Sequence, residues 1–263
     1  MMDKNISVKL KGGLGNFMFQ ISAAYSYSLE YKKELLININ DVYSVHKNVS
    51  HYYDNIFSKL EFTTSFKPCD ENFFEPFFSY QKIPFFDGSV CIDGYFQSEK
   101  YFINHKNQVL DLFEIDKKTK RKLLEIYGGI LNEDTCSIHV RRGDYMGLQN
   151  HHPVQTIDYY KNATKVIGED KHFLIFSDDI KWCEENFNFL KNKTFILGNL
   201  DYEDLYLMSM CKDNIIANST FSWWGSWLNK NKNKQVIIPS KWFGISNLHL
   251  NTNDLYCDKW IKL

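Results

Sequence analysis

The chain has 263 residues, enough for one large domain or two smaller lobes and too few for a multidomain array. Hydrophobic residues make up 44% and charged residues 24%, the balance of a folded globular protein, which excludes extensive disorder. With 31 Lys and Arg against 32 Asp and Glu the formal net charge is -1, which argues against a nucleic-acid binder but leaves room for a small anion held by one or two cations.

Residues 6–10 read as a strand that Gly12, Gly13 and Gly15 break, and 17–31 follow with helical spacing. Strand, glycine turn and helix open an α/β unit. A second strand is predicted at 35–39. Residues 41–86 are aromatic and Asn-rich, with Pro68, Pro76 and Pro84, and read as loops and short helices packed on the first lobe. A strand at 90–96 runs into Gln97, and a helix at 108–127 closes on Gly128 and Gly129. A second α/β run begins near Thr135. Its strands are predicted at 136–140, 173–176, 193–197, 214–217 and 235–238, and its helices at 157–166, 180–186, 202–210 and 222–228. Such alternation predicts parallel sheet. The lobe boundary is placed within 127–134, giving an N-terminal lobe of 1–130 with the glycine loop and a C-terminal lobe of 131–263.

No apolar run approaches the ~20 residues needed to span a bilayer. A transmembrane segment is therefore not expected, while peripheral association with a membrane surface stays open. The six cysteines form no CxxC pair, show no zinc-like spacing to histidine, and follow no secretory signal. They read as reduced thiols of a cytoplasmic protein. Arginine is scarce: Arg121, Arg141 and Arg142 are the only three, and two are adjacent. Where lysine serves almost everywhere else, an arginine pair points to bidentate clamping of phosphate or carboxylate.

Four polar motifs each follow a predicted strand, the edge at which open α/β sheets bind ligands. Lys11-Gly12-Gly13-Leu14-Gly15-Asn16 is either a tight turn or a loop that lets a ligand approach the backbone. It lacks the spacing of a phosphate loop or a dinucleotide fingerprint. His139-Val140-Arg141-Arg142-Gly143-Asp144 offers an anion clamp, with a structural Arg–Asp bridge as the alternative. Ser177-Asp178-Asp179 suits a helix cap, or a contact to ribose or guanine, better than a metal. Asn218-Ser219-Thr220-Phe221-Ser222-Trp223-Trp224 places hydroxyls at a helix start, as caps or phosphate donors, with the tryptophans in the core. His151 and His152 lack a third metal ligand nearby in sequence.

Taken together, GGLGNFMFQ, DGYFQSEKYF, HVRRGDY, HPV with DYY, FSDDIKWC and DLYLMSMCKDNIIANSTFSWWGSWLN resemble the α-1,2-fucosyltransferases, glycosyltransferase family eleven. The resemblance runs from Lys9 to about Pro239. It implies an α/β, GT-B-like fold of two Rossmann-type lobes with parallel sheets facing a central cleft. It implies inverting transfer of L-fucose from GDP-β-L-fucose, as donor substrate, to the 2-hydroxyl of a terminal β-galactoside on an oligosaccharide acceptor, with no catalytic metal and no other cofactor. By that resemblance Arg142 is the main diphosphate clamp, with Asp144 and Asn16 as further catalytic residues. Gly13, Gly15, His139, Arg141, Asp178, Ser219, Thr220, Phe221 and Ser222 fall on the donor side, and Tyr95, Gln97 and Glu99 on the acceptor side. Asp144 and Glu99 are both candidates for the general base. A related transferase with another sugar or linkage, and a degenerate carbohydrate-binding protein, stay open as alternatives.

Overall fold

Parallel strands, the inner ones buried on both faces, organise each of two units of the chain. The structure is a computed structural model that describes residues 4–43, 47–65 and 67–263. One unit comprises Met1–Glu114 with Leu250–Cys257, the other Ile115–His249 with Asp258–Leu263.

The first unit contains β1 (Asn5–Val8), β2 (Leu10–Lys11), α1 (Leu14–Tyr31), β3 (Glu34–Asn38), β4 (Val42–Tyr43), β5 (Phe62–Thr63), β6 (Glu71–Phe74), β7 (Val90–Asp93) and α2 (Lys106–Leu112). Its main sheet has the order β5-β3-β1-β7-β6, every ladder parallel. Ile6 and Val8 are buried on β1, and Phe17, Met18, Phe19 and Ile21 are buried on α1. The turn between them needs Gly12, whose φ is +93° and whose Cβ, if it had one, would meet Asn16 Nδ2 at 2.3 Å. Helix α1 ends with Lys32 in the left-handed region and Lys33 N–H donating to Ser28 O at 2.9 Å.

The second unit contains α3 (Lys117–Leu131), β8 (Thr135–Val140), α4 (Ile157–Ile167), β9 (His172–Ser177), α5 (Ile180–Asn186), β10 (Lys193–Phe195), α6 (Asp201–Met210), β11 (Asp213–Ile215), α7 (Thr220–Trp227), β12 (Val236–Ile238) and β13 (Ile261–Lys262). The sheet order is β10-β9-β8-β11-β12-β13, again parallel throughout. Every residue of β8 is buried, as a central parallel strand requires. Ile138, Val140, Phe173, Ile175, Tyr160 and Phe187 form part of its core. Trp223, Trp224 and Trp227 pack against one another, so the tryptophans of the α7 motif are core residues.

The structure differs from the sequence reading in several places. Helix 108–127 is two helices, because Asp116 caps a fresh N-terminus by accepting from Lys118 N–H and Thr119 N–H, each at 2.9 Å. Helix α3 runs through Gly128 and Gly129. The region 41–86 contributes β4, β5 and β6, short strands with no buried residue and without the alternation that betrays a strand; residues 44–46 and 66 within it lie outside the described residues. The division of contacts falls after Glu114, ahead of the boundary placed within 127–134, and returns Leu250–Cys257 to the first unit. The six cysteines are free thiols. No helix among the described residues is long and apolar enough to cross a membrane.

The second sheet contains a buried amide network. Asn214 Nδ2 donates to Ser137 Oγ at 2.7 Å and to Met208 O at 2.8 Å, and its Oδ1 accepts from Asn229 Nδ2 at 2.9 Å. Replacing Asn214 by Ala strands these partners without water. Urea unfolding should show Asn214→Ala destabilised by about 2–3 kcal/mol, with an unchanged m value.

Candidate active site

The carboxyl ends of β9, β8 and β11 are neighbours, with Val140 level with Ser177 and Ile138 level with Ile215. Three of the four motifs therefore emerge side by side. Arg141 pairs with Asp144 (Nη2 to Oδ1, 2.6 Å) and with Asp178 (Nη1 to Oδ2, 2.9 Å), and its guanidinium lies 5.3 Å from the centre of the Tyr145 ring. Arg142 donates from Nε to Asp179 Oδ2 at 2.9 Å and lies 4.0 Å over the Trp182 ring. Its Nη1 and Nη2 have no protein partner among the described residues. One arginine is thus consumed in bracing, and the other is pinned at its root with its two-pronged end available.

Asp178 and Asp179 do the pinning. Asp178 Oδ1 accepts the Arg142 backbone N–H at 2.8 Å while Oδ2 holds Arg141. A Cβ on Gly143 would lie 2.6 Å from that Oδ2, so a side chain at 143 would displace the brace. Asp179 accepts from Arg142 with Oδ2 and caps α5 with Oδ1. The hydrogen bond from Arg142 holds its carboxyl below the usual carboxylate range. An expected guanine or ribose contact through Asp178 would have to share oxygens already engaged. Among the described residues, no group of three His, Cys, Asp or Glu side chains is arranged to hold a metal ion.

At the end of β11, Ser219 precedes α7 without capping it through its side chain. Trp223 N–H is the first to reach back, to Ser219 O, which leaves the N–H groups of Thr220, Phe221 and Ser222 without helical partners. Ser222 Oγ donates to Ser219 O at 3.3 Å. The His139 ring lies 5.5 Å from Phe221. Burial, and to a lesser degree Arg141, pushes the His139 pKa down to about 3, and its buried Nδ1 has no hydrogen-bond partner among the described residues. The sheet thus holds a neutral imidazole beside an amide-rich helix start.

The remaining candidates gather in the first unit. Gly13 caps α1 and Gly15 is buried within it. Asn16 Oδ1 accepts from Gln97 Nε2 at 3.0 Å. Tyr95 is 40% exposed with Lys11 Nζ 4.9 Å above its ring, and Glu99 opens a short 3-10 turn.

Several residues organise the site in roles that the sequence reading did not give them. Glu75 accepts from Tyr95 N–H at 2.6 Å, from Phe96 N–H at 3.1 Å and from Tyr101 Oη at 3.3 Å. Burial outweighs these bonds and raises its pKa above the usual carboxylate value. Its grip coincides with Phe96, fully buried at a φ of +51°. Asn218 donates to Pro153 O and Trp242 O and accepts from Gln155, fastening the loop that follows the arginines. Trp182, four residues past Asp178, gives the Arg142 guanidinium an aromatic face to lie on.

The chain matches Glycosyl transferase family 11 over residues 3–263. It is 32% identical to the O-antigen biosynthesis glycosyltransferase WbnK of Escherichia coli, over 97% of this chain and 99% of that one. It is 30% identical to the alpha-1,2-colitosyltransferase of Escherichia coli, over 98% of each. Among solved structures, fucosyltransferase NodZ from Bradyrhizobium superimposes with a TM-score of 0.52 at 11% identity, covering 85% of this chain and 91% of that one. At that identity the likeness bears on fold, and it agrees with the expected α/β, GT-B-like class. With the family spanning nearly every residue and two bacterial transferases alike along their whole lengths, the chain belongs to glycosyl transferase family 11 and is a glycosyltransferase.

Proposed function

We propose that this glycosyltransferase moves L-fucose from GDP-β-L-fucose to the 2-hydroxyl of a terminal β-galactoside, with inversion. The observation that carries the reading is Arg142: Nε tied to Asp179, face on Trp182, both terminal nitrogens available. When the bond from sugar C1 to the β-phosphate oxygen breaks, its electron pair stays on the diphosphate. A fixed cation at that oxygen stabilises the departing charge more than the ground state. The free amides of Thr220, Phe221 and Ser222, with the Ser219 hydroxyl, suit the other phosphate oxygens. Neutral His139 and Asp178 are assigned to the nucleoside, Gly13 and Gly15 to close backbone approach, and Asn16 to the transferred sugar. Tyr95, Gln97 and Glu99 are assigned to the acceptor. Asp144, 40% exposed at its side chain, keeps Oδ2 clear of Arg141 and is assigned as base for the attacking hydroxyl. The lobe roles follow: the first unit acceptor-side, the second donor-side. The likeness to the alpha-1,2-colitosyltransferase favours a second reading in which the donor carries another deoxysugar.

The test is transfer from GDP-fucose to lactose in the presence of EDTA, with product linkage read by NMR. A 2-O-fucosylated product is expected. GDP binding without product would move the reading to the second donor class, and a folded protein that binds no GDP would sink both. In the same assay Arg142→Ala should lower kcat by about 10²–10³-fold. Arg142→Lys should recover little, since an ammonium lacks the planar fork and stacks poorly on Trp182.

His139 gives a pH prediction. Its folded pKa of about 3 lies below the ~6.5 of an unfolded histidine, so the unfolded chain takes up the proton first. The stability this residue permits is complete above about pH 6.5 and is lost as pH falls toward its folded pKa. Denaturation at stepped pH should therefore show a shallower loss between about pH 6.5 and 4 in His139→Gln than in the wild type.

A further inference from the structure

The thiols of the chain fall into two sets. Cys136, Cys183, Cys211 and Cys257 are buried, and burial pushes the first three above the usual thiol pKa. Cys69 and Cys91 are only half-buried, and both belong to the first unit.

The sheet brings these two together. Ser7 of β1 and Cys91 of β7 are level on adjacent parallel strands. Their side chains therefore leave the same face of the sheet, opposite the buried Ile6, Val8, Val90 and Ile92. Cys69, just ahead of β6, brings its Sγ to 3.3 Å from Ser7 Oγ. The next residue fixes that approach: Asp70 N–H donates to Ser89 O at 2.9 Å, and Asp70 Oδ2 accepts from Ser89 N–H at 2.7 Å. Two sulfurs thus share one hydroxyl and hydrogen-bond to each other.

The cluster is asymmetric. The Cys91 thiol is the main donor to Cys69, Ser7 adds to it, and together they outweigh burial and hold Cys69 below the usual thiol value. The same contact, with burial, pushes Cys91 up. Cys69 therefore carries the nucleophilic sulfur and Cys91 the proton. None of these three side chains has a part in the transfer reaction proposed above.

We propose that Cys69 and Cys91 are a peroxide-oxidisable pair that closes to a disulfide, with Cys69 reacting first and Cys91 resolving it. The Cys69 thiolate attacks one oxygen of hydrogen peroxide. The O–O bond breaks, the leaving hydroxide takes up a proton as water, and Cys69 becomes a sulfenic acid. The Cys91 sulfur then attacks the Cys69 sulfur. The S–S bond forms, the S–O bond breaks, and the hydroxyl leaves with the Cys91 proton as a second water. The two thiols lose two electrons and the peroxide gains them.

Treating the reduced protein with a slight excess of hydrogen peroxide, then alkylating the remaining thiols and mapping peptides by mass spectrometry, tests this. The first linked peptide should join Cys69 to Cys91 and should be undone by dithiothreitol, with the four buried cysteines still alkylated. In Cys91→Ser, dimedone should trap a sulfenic acid at Cys69. In Cys69→Ser, Cys91 should be consumed about tenfold more slowly than in the wild type. A folded wild type that forms no Cys69–Cys91 link, or that oxidises a buried cysteine first, overturns the proposal. Equal consumption of Cys91 with and without Cys69 overturns the order of attack. No nucleotide or sugar enters these measurements, so their outcome is separate from that of the transfer assay.

Discussion

The second unit depends on a charge exchange between neighbouring strand ends: two aspartates leaving β9 hold two arginines leaving β8. These ion pairs are partly exposed, with side-chain exposures of 26% on both members of one and of 14% and 35% on the other. Such pairs add little net stability. Their value is positional. Asp178 binds both a guanidinium and the Arg142 backbone, so the loop cannot relax without breaking two contacts at once. Trp182, supplied by the helix that Asp179 caps, closes the opposite face of Arg142. Capping a helix, bracing a loop and aiming a cation are thus one arrangement, built from Asp178, Asp179 and Trp182.

The first unit solves a similar problem with one carboxylate. Glu75 gathers consecutive amides at Tyr95 and Phe96, and this accompanies a positive φ at a buried, bulky residue that would be disfavoured alone. The bend delivers Gln97 to Asn16, joining the strand-end loop after β7 to the first turn of α1. Gly94 is required there because a Cβ would lie 2.7 Å from Glu75 Oε2. Both units therefore anchor irregular backbone after their strands with carboxylates rather than with apolar packing, which cannot satisfy exposed amides.

What was legible in the sequence follows from how local its cause is. The inner strands are runs such as Ile-His-Val and Phe-Leu-Ile-Phe, buried on both faces, and helix α5 is bounded by its own cap, so each announces itself. Strands β5 and β6 do not: two to four residues long and with no buried residue, they exist only through pairing with β3 and β7. The break before α3 was readable in principle from Asp116, which caps the helix that starts at Lys117. The site shows the same contrast. Arginine scarcity and strand-end position marked the motif at 139–144, whereas Glu75 and Asn214 act on partners far along the chain and carry no local signature.

The level pairing of Val140 with Ser177 has a consequence for how this chain can vary. Arg142 stands two residues past its strand's last paired position, and Asp179 two past its own. Side chains on an extended chain alternate sides, so deleting or inserting one residue in either segment would turn an aspartate away from its arginine. Length changes upstream of β8, or after α5, leave that phase untouched. Descendants of this sequence should therefore be free to lengthen or trim their outer connections, while these two short stretches stay locked to a common count.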